Sequence, residues 1–149
     1  MFVKRRPASP RELARLVESF DVTPPPAGLT EAEIGEVASI DVLGALHTVL
    51  AIADPRPGAD RFCTVAELEK SWAAGGGSDR DQESYQRALA RAADPAFAPE
   101  LLFEPTDLTS SGWWMIDGIH RAAALLSVRT AAKATVLELP VFVLRRPLR

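Results

Sequence analysis

Trp113-Trp114-Met115-Ile116-Asp117-Gly118-Ile119-His120-Arg121-Ala122-Ala123-Ala124-Leu125-Leu126 reads as a hydrophobic strand, a tight Asp-Gly turn and a helix, and the rest of the chain is read outward from it. Asp117 suits the N-cap, where its carboxylate would accept from the N–H of Ile119 or His120. Gly118 has no Cβ and lets the backbone turn sharply or approach a ligand closely. Ile119, Ala122, Leu125 and Leu126 recur at helical spacing, and the three alanines keep the helix slim for close packing. His120 and Arg121 stand in the first turn, where the positive end of the helix dipole disfavours cations. An anion in front of the turn would reverse that penalty, because the free N–H groups of a helix start favour phosphate and Arg121 could add a bidentate fork. The plainer alternative is an ordinary strand-to-helix turn with two solvated polar residues.

The run Asp117-Gly118-Ile119-His120-Arg121-Ala122-Ala123-Ala124 resembles the D-G-x-H-R-x-x-A signature of the ParB/sulfiredoxin-like superfamily. The match is strong over these eight residues, and the order of predicted elements from about Phe62 to Arg145 supports it; the first half of the chain carries no such match. The resemblance implies a nucleotide site, for ATP or CTP, whose phosphates meet the backbone and side chains of Gly118, Ile119, His120, Arg121 and Ala122. It also implies catalytic roles for His120, binding phosphate or shuttling a proton, and for Asp117, holding the turn or helping to bind magnesium. Departures narrow the reading. Sulfiredoxin needs a cysteine where this chain has Ile119, and the single thiol, Cys63, is distant in sequence, which counts against sulfinate repair. Partition proteins carry a helix-turn-helix domain after the motif domain, for which the residues beyond the last predicted strand leave no room.

The chain has 149 residues, a length expected to form one domain with an adequate core. The expected division is an N-terminal helix with a proline-rich connector over residues 1–28 and the nucleotide-binding domain over residues 29–149. A net charge of −3 counts against a general nucleic-acid binder. Basic residues do gather at both ends, Lys4, Arg5 and Arg6, then Arg145, Arg146 and Arg149; they read as solvated tails, or as a patch if the termini meet. One cysteine excludes an internal disulfide and a cysteine-rich zinc site. Transmembrane and secretory segments are absent from the pattern, so a cytoplasmic protein without a membrane partner is expected.

Three capping boxes punctuate the chain. Ser9-Pro10-Arg11-Glu12 opens an amphipathic helix through about Phe20, with Leu13, Leu16, Val17 and Phe20 on its apolar face and Thr23-Pro24-Pro25-Pro26 ending it. Packing on its own domain is expected. Thr30-Glu31-Ala32-Glu33 predicts a second helix toward Ser39. Thr64-Val65-Ala66-Glu67 predicts a third, to about Ala74, and a further helix follows from Asp79 or Asp81 to about Ala93. Residues 40–53 stay open between a helix and a strand around Thr48–Ile52, since continuous apolar runs are not settled by periodicity. Asp54-Pro55-Arg56-Pro57-Gly58 marks a turn. Leu101-Leu102-Phe103 reads as a strand, Trp113–Ile116 as its hairpin partner, and Leu137–Leu144 as the final strand. The fold class is α+β (mixed α/β), a small mixed sheet flanked by helices.

Other chemistry-bearing residues are fewer. His47, in an apolar stretch, reads as a satisfied core histidine, and no cluster with metal-ligand spacing stands beside either histidine, so no resident metal is expected. Gly75-Gly76-Gly77-Ser78 lacks the Gly-Lys-Ser/Thr of a phosphate loop. Glu67, Glu69, Glu104 and Asp107 are candidate general bases besides Asp117, with a solvated helix surface the simpler reading of the first two. Trp113 and Trp114 should split across a strand, leaving one ring in the core and the other free to line a pocket. The function expected from these readings is ATP-dependent phosphoryl transfer to a small-molecule acceptor. A non-catalytic nucleotide sensor or partner-binding module is the alternative, and a nuclease a more distant one.

Overall fold

A computed structural model of the protein describes residues 2–19, 27–51 and 62–148. Phe20, the connector Thr23–Pro26, the turn Asp54–Gly58 and Arg149 therefore lie outside the described residues. Within them, five α-helices flank a mixed sheet of seven strands in the order β1-β2-β7-β5-β6-β3-β4. The strands are β1 (Val3–Pro7), β2 (Glu33–Ser39), β3 (His47–Ala51), β4 (Phe62–Thr64), β5 (Leu102–Pro105), β6 (Trp113–Asp117) and β7 (Val136–Val143). The helices are α1 (Pro10–Ser19), α2 (Ile40–Ala45), α3 (Val65–Ala73), α4 (Asp79–Ala92) and α5 (Ile119–Ala131). The pairs β3–β6 and β5–β7 are parallel and the other neighbours antiparallel.

Local signals set most helix starts. At α1, Ser9 Oγ accepts from Glu12 N at 3.2 Å and Glu12 Oε1 accepts from Ser9 N at 2.9 Å. At α3, Thr64 and Glu67 make the same reciprocal pair. At α4, Ser78 and Asp81 do so. Each box satisfies backbone N–H groups that a helix start otherwise leaves without partners.

The box at Thr30 fails. Residues Ala27–Glu31 make one short 3-10 turn, and Glu33–Ser39, expected as a helix, is strand β2. The reason lies in which residues must share a face. Ile34 is buried in one apolar cluster, with Leu16, Leu102 and Phe142, and Val37 in the other, with Leu43, Phe103 and Met115. Three residues apart on a helix they would share a side; on a strand they point to opposite faces, as two separate cores require. β2 also pairs with β1 on one side and β7 on the other, and these bonds override the helical preference of its Glu and Ala residues.

Of residues 40–53, residues 52 and 53 lie outside the described residues, and residues 40–51 contain both alternatives in succession. Ser39 Oγ accepts from Val42 N at 3.1 Å and starts the six-residue α2; the chain then re-enters the sheet as β3. The main core lies between one sheet face and α2–α5, and the second core lies between the other face and α1, whose Leu16 is fully buried. The N-terminal helix thus packs on its own chain. The strand β1 before it had no sequence signal, because all five of its residues are solvent-exposed.

The described basic residues of the two ends gather around β1 and β2, and each has a carboxylate partner. Lys4 pairs with Glu36, Arg5 and Arg145 with Glu33, Arg6 with Glu12, and Arg146 with Glu31. Charges on an edge strand also discourage pairing with another chain. Among the described residues no helix is long and apolar enough to cross a membrane.

Candidate functional site

The motif strand and helix form as expected, β6 running into α5, but the turn between them is built differently. Asp117 is still in the strand, paired opposite Leu102. The N-cap is Gly118, at φ 87° and ψ 14°, and no side chain caps the helix. A Cβ on Gly118 would stand 2.6 Å from the carbonyl oxygen of Glu100 and 2.7 Å from Leu101 Cδ2. Glycine is required by the left-handed backbone and by this close approach together. The expectation that Asp117 caps the helix is therefore corrected: its carboxylate instead lies 3.7 Å from the Arg121 guanidinium, one helical turn on.

With no side-chain cap, the first N–H groups of α5 have no partner from that source. Ala122 is the exception among the proposed phosphate ligands. Its N–H already donates to Gly118 O at 2.9 Å and its side chain is fully buried, so it drops out of the site. It serves packing instead: Ala122, Ala123 and Ala124 are all buried and let α5 sit close to α4, whose Ala88 and Ala92 are buried too.

An open cleft of about 240 Å³ faces this turn, lined by Asp117, Gly118, Ile119, His120 and Arg121 and, from α4, by Ser84, Arg87, Ala88 and Arg91. The sequence reading missed the α4 residues. Arg87 and Arg91 are one turn apart, so like charges sit side by side at a mild cost. Neither has a carboxylate within ion-pair distance among the described residues, whereas the basic residues of the termini and Arg15 do. Three guanidinium groups and an uncapped helix start thus face one cleft in which, among the described residues, Asp117 is the single carboxylate. On a chain with a net charge of −3, that local excess of positive charge favours an anion.

His120 is held by two contacts. Its ring stacks on Trp72 at 4.5 Å between centroids and 11° between planes. Its Nε2 lies 2.9 Å from Asp81 Oδ1, and since an ionised carboxylate only accepts, the imidazole donates. Asp81 is thus shared between the α4 capping box and the motif histidine. The hydrogen bond from His120 is the main cause holding the Asp81 carboxyl below its ordinary value, with the backbone N–H and hydroxyl of Ser78 adding to it. The arrangement fixes the tautomer and orientation of His120 at the cleft.

The remaining candidates lie elsewhere. Trp113 packs against Phe2 on one sheet face, and Trp114 meets Phe62 edge-on at 5.0 Å on the other. The tryptophans split as expected, but neither lines the cleft at the motif turn. The Trp114 Nε1–H donates to Glu104 Oε1 at 2.8 Å, which ties Glu104 to structure. Glu67 likewise serves the α3 cap. His47 is buried, with Nδ1 3.4 Å from Ser111 Oγ. Among the described residues no group of three or more His, Cys, Asp and Glu side chains is placed to hold a metal ion. No protein-family model matches the chain, and neither a curated protein nor a solved structure matches it.

Proposed function

We propose that this chain binds a nucleoside triphosphate, ATP or CTP, with its phosphates in the cleft between α4 and the start of α5. The observation that carries the reading is the set of three arginines, Arg87, Arg91 and Arg121, converging on an uncapped helix N-terminus. Phosphate oxygens would accept from the N–H groups of Ile119, His120 and Arg121 and from the guanidinium forks. The nucleotide itself rests on the likeness of Asp117–Ala124 to the superfamily signature.

The reaction proposed is transfer of the terminal phosphoryl group to a small-molecule acceptor. Such transfer depends on positioning and charge neutralisation, which the arginines would supply. His120, held by Asp81 through Nε2, would use its Nδ1 to take a proton from the attacking hydroxyl or to hydrogen-bond the transferred group. Magnesium is held in such sites by one or two carboxylates plus the substrate phosphates. Among the described residues Asp117 is the carboxylate of the cleft that would fit, and the ion would offset phosphate charge there. A nucleotide sensor without turnover is the second reading, favoured by that same scarcity of carboxylates.

Titration calorimetry with ATP and CTP, with and without magnesium, tests the proposal. Binding that Arg121→Ala weakens at least tenfold is expected. Unchanged affinity in a folded variant would remove the phosphate site. Acceptor-dependent ATP consumption separates the transferase from the sensor.

A further inference from the structure

The phosphate cleft is too small for a whole nucleotide: its 240 Å³ falls below the range of about 300–1,000 Å³ usual for small-molecule sites. A second groove of about 450 Å³ adjoins it and shares Arg91, with Ala90, Asp94, Ala96, Phe97 and Ala98 as its other walls. We infer that this groove, at the C-terminal end of α4 and the loop after it, holds the nucleoside half of the ligand, an inference that rests on the nucleotide reading above.

Three features of the groove fit a flat base joined to a sugar. Phe97 presents an aromatic ring, with the Arg91 guanidinium carbon 5.5 Å from its centroid. Ring and guanidinium plane are both surfaces on which bases stack, and such stacking is tolerant of which base is present. Arg91 also lines the phosphate cleft, so one side chain touches both halves of the site. Asp94 supplies the polar end. Its Oδ1 accepts from Ala96 N at 2.9 Å, which fixes the carboxylate, and Oδ2 has no hydrogen-bond partner among the described residues. A fixed carboxylate with one open oxygen matches the hydroxyls of a ribose. Phe97 itself is anchored: its N–H donates to Asp94 O at 3.0 Å, and its side chain packs against the main core.

The test compares ATP and CTP with inorganic tripolyphosphate by calorimetry on the full chain, in the parent protein and in Phe97→Leu and Asp94→Asn. The leucine keeps the packing and removes the aromatic face; the asparagine keeps the Ala96 contact and removes the charge. Both nucleotides are expected to bind the parent about fivefold or more tightly than tripolyphosphate. Each variant should lose that advantage while binding tripolyphosphate as before. Equal affinity of the parent for nucleotide and tripolyphosphate, or an advantage that both variants keep, overturns the groove assignment and leaves the phosphate site standing. Failure of tripolyphosphate and both nucleotides to bind overturns both.

Discussion

Replacing Gly118 by alanine probes the turn on which the site is built. Two costs add there. The left-handed backbone at φ 87° penalises any L side chain by about 1–2 kcal/mol. The new Cβ also falls 2.6 Å from Glu100 O and 2.7 Å from Leu101 Cδ2. The backbone around Glu100 and Leu101 cannot easily retreat, because Leu101 O accepts from Phe142 N at 2.9 Å in the neighbouring strand. Forcing room in such a packed place costs about a further 1–3 kcal/mol. The expected loss is therefore about 2–5 kcal/mol, a large part of the stability of an ordinary domain. Gly112→Ala is the control: its φ is 82° but nothing lies within 4 Å of the added Cβ, so only the conformational cost applies. Urea unfolding of both variants, read at equal m-values, separates the two terms. If Gly118→Ala costs no more than Gly112→Ala, the steric argument is wrong and the turn is not held against Glu100 as described.

Other outcomes follow from the same structure. Arg87→Ala and Arg91→Ala should each weaken ATP binding about tenfold or more, since each removes charge-assisted hydrogen bonds, while a Lys4→Ala control leaves affinity unchanged. Both the Asp81 and the Glu12 carboxyl are lowered by folding, the first chiefly by His120 and the second, to about 2, chiefly by Arg6. A lowered folded value means that the unfolded chain binds more protons, so the contribution is whole above the ordinary values of 3.8 and 4.5 and fades as pH falls through the folded ones. Acid titration of stability should therefore lose slope below about pH 4.5 in Arg6→Ala and below about pH 4 in His120→Ala; a curve unaltered by both would contradict the pairings. Because Arg6 and Glu12 lie at the surface, solvent screening should keep the contribution of their pair to stability small. Thr64→Ala should cost about 1 kcal/mol by removing the α3 cap, measurable by the same unfolding.

Short-range chemistry made much of this protein legible from its letters. Ser9 and Thr64 start helices because a cap needs only a hydroxyl and a partner three residues on, and both are local. The β5–β6 hairpin and the β6–α5 turn were readable for a similar reason: short β-rich apolar runs, then a glycine, then apolar residues at helical spacing. Where the same local signal was present but the neighbours disagreed, it lost. Thr30 begins as good a capping box as Thr64, yet β2 forms because strands on both sides take its backbone hydrogen bonds.

The candidate site divides along the same line. Gly118, His120 and Arg121 could be chosen from sequence because a helix start concentrates them within one turn. Arg87 and Arg91 could not, because nothing within α4 says which neighbour it will face; that follows from the packing of α4 on α5, with Ala88 and Ala92 buried. The partner of His120 was hidden likewise, since Asp81 lies 39 residues away and carries a capping signature that already accounts for it. Local hydrogen-bonding and periodicity thus settle where elements begin and which residues a turn presents. Only the packing of α4 on α5 brings together the cations and the His120–Asp81 pair, because proximity between distant segments depends on which apolar faces fit, and that is a property of the whole folded chain.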